Sequence, residues 1–166
     1  MTYEPELLDN ILPNSIFLFI NGHADHFSRK LFKRTHQKLY GPWPVKIYMN
    51  QKRKYKLEEL NDSLPGFVIT KFKTRHGFSF KHYSYLIEWH GKSIFISGDT
   101  HLADTLVSIK KLDMMFADPW ALSNVWERIL KIDAKQIILD HHRSVDSINN
   151  KSDKIIVPEQ SERFEL

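Results

Sequence analysis

Short apolar runs, each closed by a turn-forming or polar cluster, recur along this chain and set its predicted elements. Ile16 to Ile20 is apolar without alternation, which predicts a strand over Ser15 to Ile20 that is buried on both faces. Phe67 to Phe72, Tyr83 to Trp89 and Ser93 to Ser97 read as further strands, the last two joined through His90-Gly91 as a hairpin. Val45 to Met49, Asp113 to Phe116, Gln136 to Leu139 and Lys154 to Pro158 complete the strand set. Helices are predicted over Glu4 to Ile11, from an N-cap at Ser28 to Leu39, over Leu102 to Lys110 and over Ser123 to Lys131, with a helical turn at Leu57 to Asn61. Gly41-Pro42 is read as the stop of the second helix. Strands alternating with helices make an α/β protein, in which ligand chemistry gathers at strand ends.

Composition narrows this picture. At 166 residues, 42% hydrophobic and 13% aromatic, the chain has material for one folded domain over residues 1–166. Cysteine is absent, so disulfides, thiolate ligands and a cysteine nucleophile are excluded. No apolar run approaches the ~20 residues that span a bilayer, and Met1 to Glu6 lacks the pattern of a signal peptide. The expected setting is cytoplasmic, with no membrane partner. The net charge is +4, and its placement is uneven. No acidic residue falls between His26 and Glu58, a stretch that holds ten lysines and arginines. An anionic substrate, or nucleic acid bound through residues 29–56, fits such a segment. No glycine-rich phosphate loop and no Gly-x-Ser-x-Gly elbow is present.

The chemistry sits just beyond predicted strands. His23, Asp25 and His26 follow Ile20; His76 follows Phe72; Asp99 follows Ser97; His141 and His142 follow Leu139. Imidazoles and carboxylates together suit a divalent ion such as zinc, manganese or iron, and composition does not choose among them. Arg75 and Arg143 each adjoin one of these histidines and are candidates to clamp an anionic group.

Asn21-Gly22-His23-Ala24-Asp25-His26, the lone His76, Ser97-Gly98-Asp99-Thr100 and Asp140-His141-His142 together resemble the metallo-β-lactamase-fold superfamily of metal-dependent hydrolases. The hairpin from Tyr85 to Thr100 and the closing stretch from Ile155 to Gln160 resemble the same family, so the likeness runs from about residue 8 to the C-terminus. The resemblance implies a layered sheet-and-helix sandwich and one or two divalent cations, zinc foremost. His23 and His76 would face one metal, Asp25, His26 and His141 the other, with Asp99 bridging them. Asp25 would also orient the attacking water, and His142 or His101 would serve the leaving group. The implied activity is attack by a metal-bound hydroxide on an ester-like bond, a phosphodiester or other small anionic substrate being favoured.

The chain departs from the family pattern in two places. Asn21 stands where the family has its first histidine, and it is counted here among residues that touch substrate. Only 20 residues precede the metal loop, so the sandwich is expected to lack the first strands of its N-terminal half, as a truncated or short variant. A second copy or a partner chain would then cover the exposed sheet. Two alternatives stay open: a lactonase of the same fold, and a catalytically silent member that binds nucleic acid or an acidic partner.

Overall fold

The computed structural model describes residues 15–21, 38–48, 56–77, 80–100, 103–119, 122, 131–140, 152–159, 162 and 164. Two sheets make up its frame. In the first, β1 (Ile16–Leu18) runs parallel to β2 (Lys38–Tyr40), with Phe17 opposite Leu39. The second sheet has the order β3-β4-β5-β6-β7-β8. Its strands are β3 (Val68–Thr74), β4 (His82–Trp89), β5 (Lys92–Ile96), β6 (Leu112–Ala117), β7 (Ala134–Leu139) and β8 (Ile155–Ile156). Pairing is antiparallel from β3 to β5 and parallel from β5 to β8. Three short helices accompany them among the described residues: α1 (Trp43–Tyr48), α2 (Leu57–Ser63) and α3 (Ala103–Ser108).

Side-chain alternation builds the layers. On β4, Tyr83, Tyr85 and Ile87 point to one face and Leu86 to the other, as a period of two demands. The first face meets Leu18, Ile20 and Tyr40 of the first sheet, together with Leu57 and Leu60 of α2. The other joins Phe95, Met115 and Ile137 in a core closed by Leu106 of α3. Val45 of α1 covers Phe19 and Leu39 on the outer side of the first sheet. Helix, sheet, sheet and helix therefore stack in that order, the layered α/β sandwich that the sequence led us to expect. The strands β6 and β7 bury both faces, which explains why Met114-Met115 and Ile137-Ile138 read as unbroken apolar runs.

Two polar links fasten the sheets. The Tyr83 amide donates to the Ile20 carbonyl at 2.9 Å. The Tyr85 hydroxyl, fully buried, donates to the Phe19 carbonyl at 2.8 Å. Burial raises the Tyr85 phenol well above its ordinary range, and neighbouring Tyr83 adds to this.

The structure corrects the expected elements between Lys38 and Tyr48. Lys38 to Tyr40 form a strand, whereas a helix had been expected to run through Leu39. Val45 to Tyr48 are helical, whereas a strand had been expected there. Gly41 explains both. A β-carbon at Gly41 would lie 2.9 Å from the Phe19 β-carbon, so this glycine permits β1 and the end of β2 to approach closely and is not a helix stop. Pro42 and Pro44 then sit where a first helical turn tolerates proline, and the Val45 amide closes the turn on the Pro42 carbonyl at 3.2 Å. The hairpin matches expectation: His90 and Gly91 have φ of 49° and 73°, the paired left-handed values of a two-residue turn. The helices expected over 4–11 and over 123–130, and the part of the second expected helix before Lys38, lie outside the described residues. No described helix is long and apolar enough to cross a membrane.

Replacing Tyr85 by Phe removes the inter-sheet donor and leaves the Phe19 carbonyl buried, so urea unfolding should show a loss of about 1–3 kcal/mol. The wild type holds the phenolic proton more tightly when folded than when unfolded. Its stability should therefore be full below pH ~10 and fall above it, and Tyr85→Phe should lessen that alkaline fall. An unchanged midpoint in the variant would show that the link contributes nothing.

Candidate metal centre

Two antiparallel pairings return the chain to its starting direction, so β3 and β5 end on the same edge of the sheet, where β4 begins. The parallel strands β6 and β7 deliver Asp118 and Asp140 to that edge, the Asp140 amide bonding the Ala117 carbonyl at 3.1 Å. Asn21, which follows β1, reaches the same place through the Tyr83–Ile20 bond. Topology alone thus gathers Asn21, His76 and Asp99.

A tight turn presents Asp99. Gly98 has φ of 59°, and a β-carbon there would lie 2.7 Å from Ile20 Cδ1 and 3.0 Å from the His82 ring. Glycine suits both conditions, since the positive φ strains other residues and an added β-carbon would press on the end of the Ile20 side chain and on the His82 ring. The Ser97 hydroxyl donates to the Gly98 carbonyl at 2.9 Å and the Thr100 amide to the same oxygen at 2.8 Å, fixing the turn from both sides. Asp99 is 8% exposed and Asn21 fully buried, so the carboxylate leaves water and must be compensated inside the protein. Asn21 Nδ2 donates to Asp99 Oδ2 at 3.4 Å, a long bond from a neutral group.

His76 Nδ1 lies 2.7 Å from the Asp99 backbone carbonyl. That oxygen only accepts, so Nδ1 carries the hydrogen and Nε2 is the lone-pair nitrogen of the neutral ring. Metal-binding histidines are oriented by bonds of this kind. An imidazole with its tautomer set, beside a buried carboxylate, fits a divalent cation; the amide of Asn21 is a weaker donor to such an ion. Among the described residues no three His, Asp or Glu side chains group closely enough to hold a metal. His23, Asp25, His26, His101, His141, His142 and Arg143 lie outside those residues. Arg75 is described and is exposed beside His76.

No model of a protein family matches the sequence, and no curated protein matches it. Solved structures do resemble it. A proposed metal-dependent hydrolase from Parabacteroides distasonis superposes with a TM-score of 0.62 at 14% identity, over 80% of this chain and 68% of its own. The metallo-β-lactamase fold protein YhfI from Bacillus subtilis gives 0.58 at 16% identity, over 84% of this chain and 70% of its own. The short form of human tRNase Z gives 0.51 at 14% identity, over 76% and 71%. The chain has the metallo-β-lactamase fold.

Within this metallo-β-lactamase fold the structure adds a residue that sequence reasoning passed over. His82 is buried, its ring centroid 5.7 Å from that of His76. Its Nδ1 lies 2.6 Å from Thr74 Oγ1, which lies 3.3 Å from Ser84 Oγ, and Ser84 donates to the Ser97 carbonyl at 2.6 Å. This line of polar groups ties β3 and β4 to the turn that carries Asp99. The signal was present as alternation: polar His82 and Ser84 interleave with aromatic Tyr83 and Tyr85, and register sets His82 opposite Thr74.

Gly98→Ala should be more damaging than Gly91→Ala, although both glycines have positive φ. At Gly91 nothing lies within 4 Å of an added β-carbon, so the variant meets backbone strain of about 1–2 kcal/mol and no clash. At Gly98 overpacking adds roughly 1–3 kcal/mol to the same strain. Thermal unfolding of the two variants side by side checks the difference; equal shifts would refute the packing argument.

Proposed function

We propose that this chain is a metal-dependent hydrolase acting on an ester-like bond, with a phosphodiester or another small anionic compound as substrate. The observation that carries the reading is the pairing of His76 with the Asp99 turn, which holds an imidazole and a buried carboxylate together at the strand-end edge. His23, Asp25, His26 and His141 are proposed as the remaining metal-binding residues, with one or two divalent ions and zinc favoured. Such an ion, when bound, supplies Lewis acidity and a water acidic enough to attack near neutral pH. His76 offers Nε2 because the Asp99 carbonyl holds its other nitrogen. Asn21 steadies the Asp99 carboxylate with its amide. Asp25 orients the attacking water and takes its proton, His142 protonates the leaving group, and Arg75 and Arg143 receive the substrate's negative charge. The fold similarity to proteins whose names include a metal-dependent hydrolase and a tRNase supports the class.

One observation favours a second reading. Asn21 spends an N–H on Asp99 at the place where the family offers an imidazole, as a silent member that binds nucleic acid or an acidic partner would tolerate.

Metal analysis of the purified protein separates the two. Retained transition metal, lost together with activity in His26→Ala and Asp99→Asn, is the expected result. The fall in activity should exceed the ~10–100-fold typical of losing an outer-shell partner. Metal-free protein after metal-replete growth would favour the silent binder. A panel of phosphodiester and lactone substrates then distinguishes the two hydrolytic classes. Asn21→His should raise metal content and rate, and no change in either would show that position 21 does not face the metal.

A further inference from the structure

The outer edge of β3 carries a second pattern of chemistry. Among the described residues β3 closes one end of the six-stranded sheet and pairs only with β4, over all seven residues from Val68 to Thr74 without a bulge. The Ile69 amide donates to Asn61 Oδ1 on α2 at 2.9 Å, so it points away from β4. In an antiparallel pair the N–H and C=O of a residue point to one side, and those of every second residue share it. The amides and carbonyls of Lys71 and Lys73 therefore also point outward, beyond the place where α2 caps the edge. Neither outward amide has a partner among the described residues, and Thr70, Lys71 and Lys73 are exposed. Proteins blunt such edges with bulges, proline, short strands or lysine. Of these devices β3 has lysine.

Side chains alternate across the same strand. Lys71 and Lys73 fall on the face of Ile69, while Val68, Thr70 and Phe72 fall on the other. Val68 is 45% exposed, and Phe72, edge-on to Phe95, is half-buried. Lys71 reaches Glu58 at 3.3 Å, whereas Lys73 has no ion pair among the described residues. The edge is thus cationic on one face and partly apolar on the other. Two-fold pairing of the open stretch with a second copy of itself sets Lys71 and Lys73 against one another, which is unfavourable. A nucleic-acid strand would answer the ammonium groups and make no use of the amides or of Val68. A polypeptide strand with a carboxylate at every second residue and apolar side chains between them answers all three.

We infer that the open edge of β3 receives an extended acidic segment of a partner protein as an added strand. Asp or Glu residues of that segment face Lys71 and Lys73, and its alternate apolar side chains cover Val68 and Phe72. Main-chain hydrogen bonds to the edge supply attraction, and the lysines select the sign of charge. The cations that repel another β3 attract a strand of opposite charge, so one device serves exclusion and recognition. The inference goes beyond the hydrolase reading, and either can fail without the other.

Magnetic-resonance titration of the isotope-labelled whole chain tests it, with a short capped peptide alternating valine and glutamate as probe. The peptide should bind, more weakly as salt rises, and slow hydrogen exchange of the Lys71 and Lys73 amides about tenfold or more. Replacing its glutamates by glutamine, gathering them in one block, or N-methylating its edge-facing amides should each weaken binding about fivefold. Lys73→Ala should weaken it about three- to fivefold, and Glu58→Gln, which releases Lys71, should strengthen it about twofold. Lys71→Glu combined with Lys73→Glu should reverse the preference toward a peptide alternating valine and lysine, a gain that an unfolded variant would not show. The proposal is overturned if the N-methylated or blocked peptide binds as well as the parent, or if exchange at Lys71 and Lys73 stays unchanged. Tighter binding of a short single-stranded DNA with the same lysine dependence would also overturn it, assigning the edge to nucleic acid. Protection of the two amides that rises with protein concentration alone would do so too, assigning it to a second copy. Metal content and phosphodiesterase activity report on the hydrolase reading separately, and Lys73→Ala should leave both unchanged.

Discussion

The structure turns on the close approach of three chain segments at Gly98. The segment just after β1 brings Ile20, the start of β4 brings His82, and the turn after β5 passes so close to both that a β-carbon on Gly98 would press on their side chains. Because that turn is left-handed and held by Ser97 and Thr100, its next residue has little freedom. The Asp99 side chain therefore meets Asn21 while its backbone carbonyl meets His76. One residue thus organises two candidate site residues through two different atoms. Backbone geometry does the organising, and the side chains follow.

A polar interior supports this turn. Thr74, His82 and Ser84 lie deep in the sheet, where an apolar trio would have packed more simply. Their hydrogen bonds run from one strand to the next and end on the Ser97 carbonyl, one residue before Gly98. Buried polar groups joined in this way restrict the arrangements a core can adopt, because every alternative leaves a donor or acceptor without its partner. The apolar clusters on either side supply cohesion. The polar line sets position.

Legibility in the sequence followed the range of the interaction responsible. The β4–β5 hairpin was readable because its register is set locally by His90-Gly91 and by the alternation around it. Asn21, His76 and Asp99 were readable as one group because each follows a strand, and the sheet brings those strand ends to one edge. Lys38 to Tyr48 was misread because Gly41 answers to Phe19, a contact between segments distant in sequence that no local pattern announces. His82 went unnoticed for a related reason: its partners on β3 and beyond β5 become neighbours only once the strands pair.

The hairpin tip at His90 and Gly91 stands at the far end of β4 from His82, and space around Gly91 is open. Trp89 rests its ring on Phe67 at 5.9 Å, so the strands stay anchored just below the tip. A fluorophore or affinity handle grafted there would ride on paired strands, point into solvent and remain a strand's length from the Asp99 turn, giving this fold a natural point of attachment.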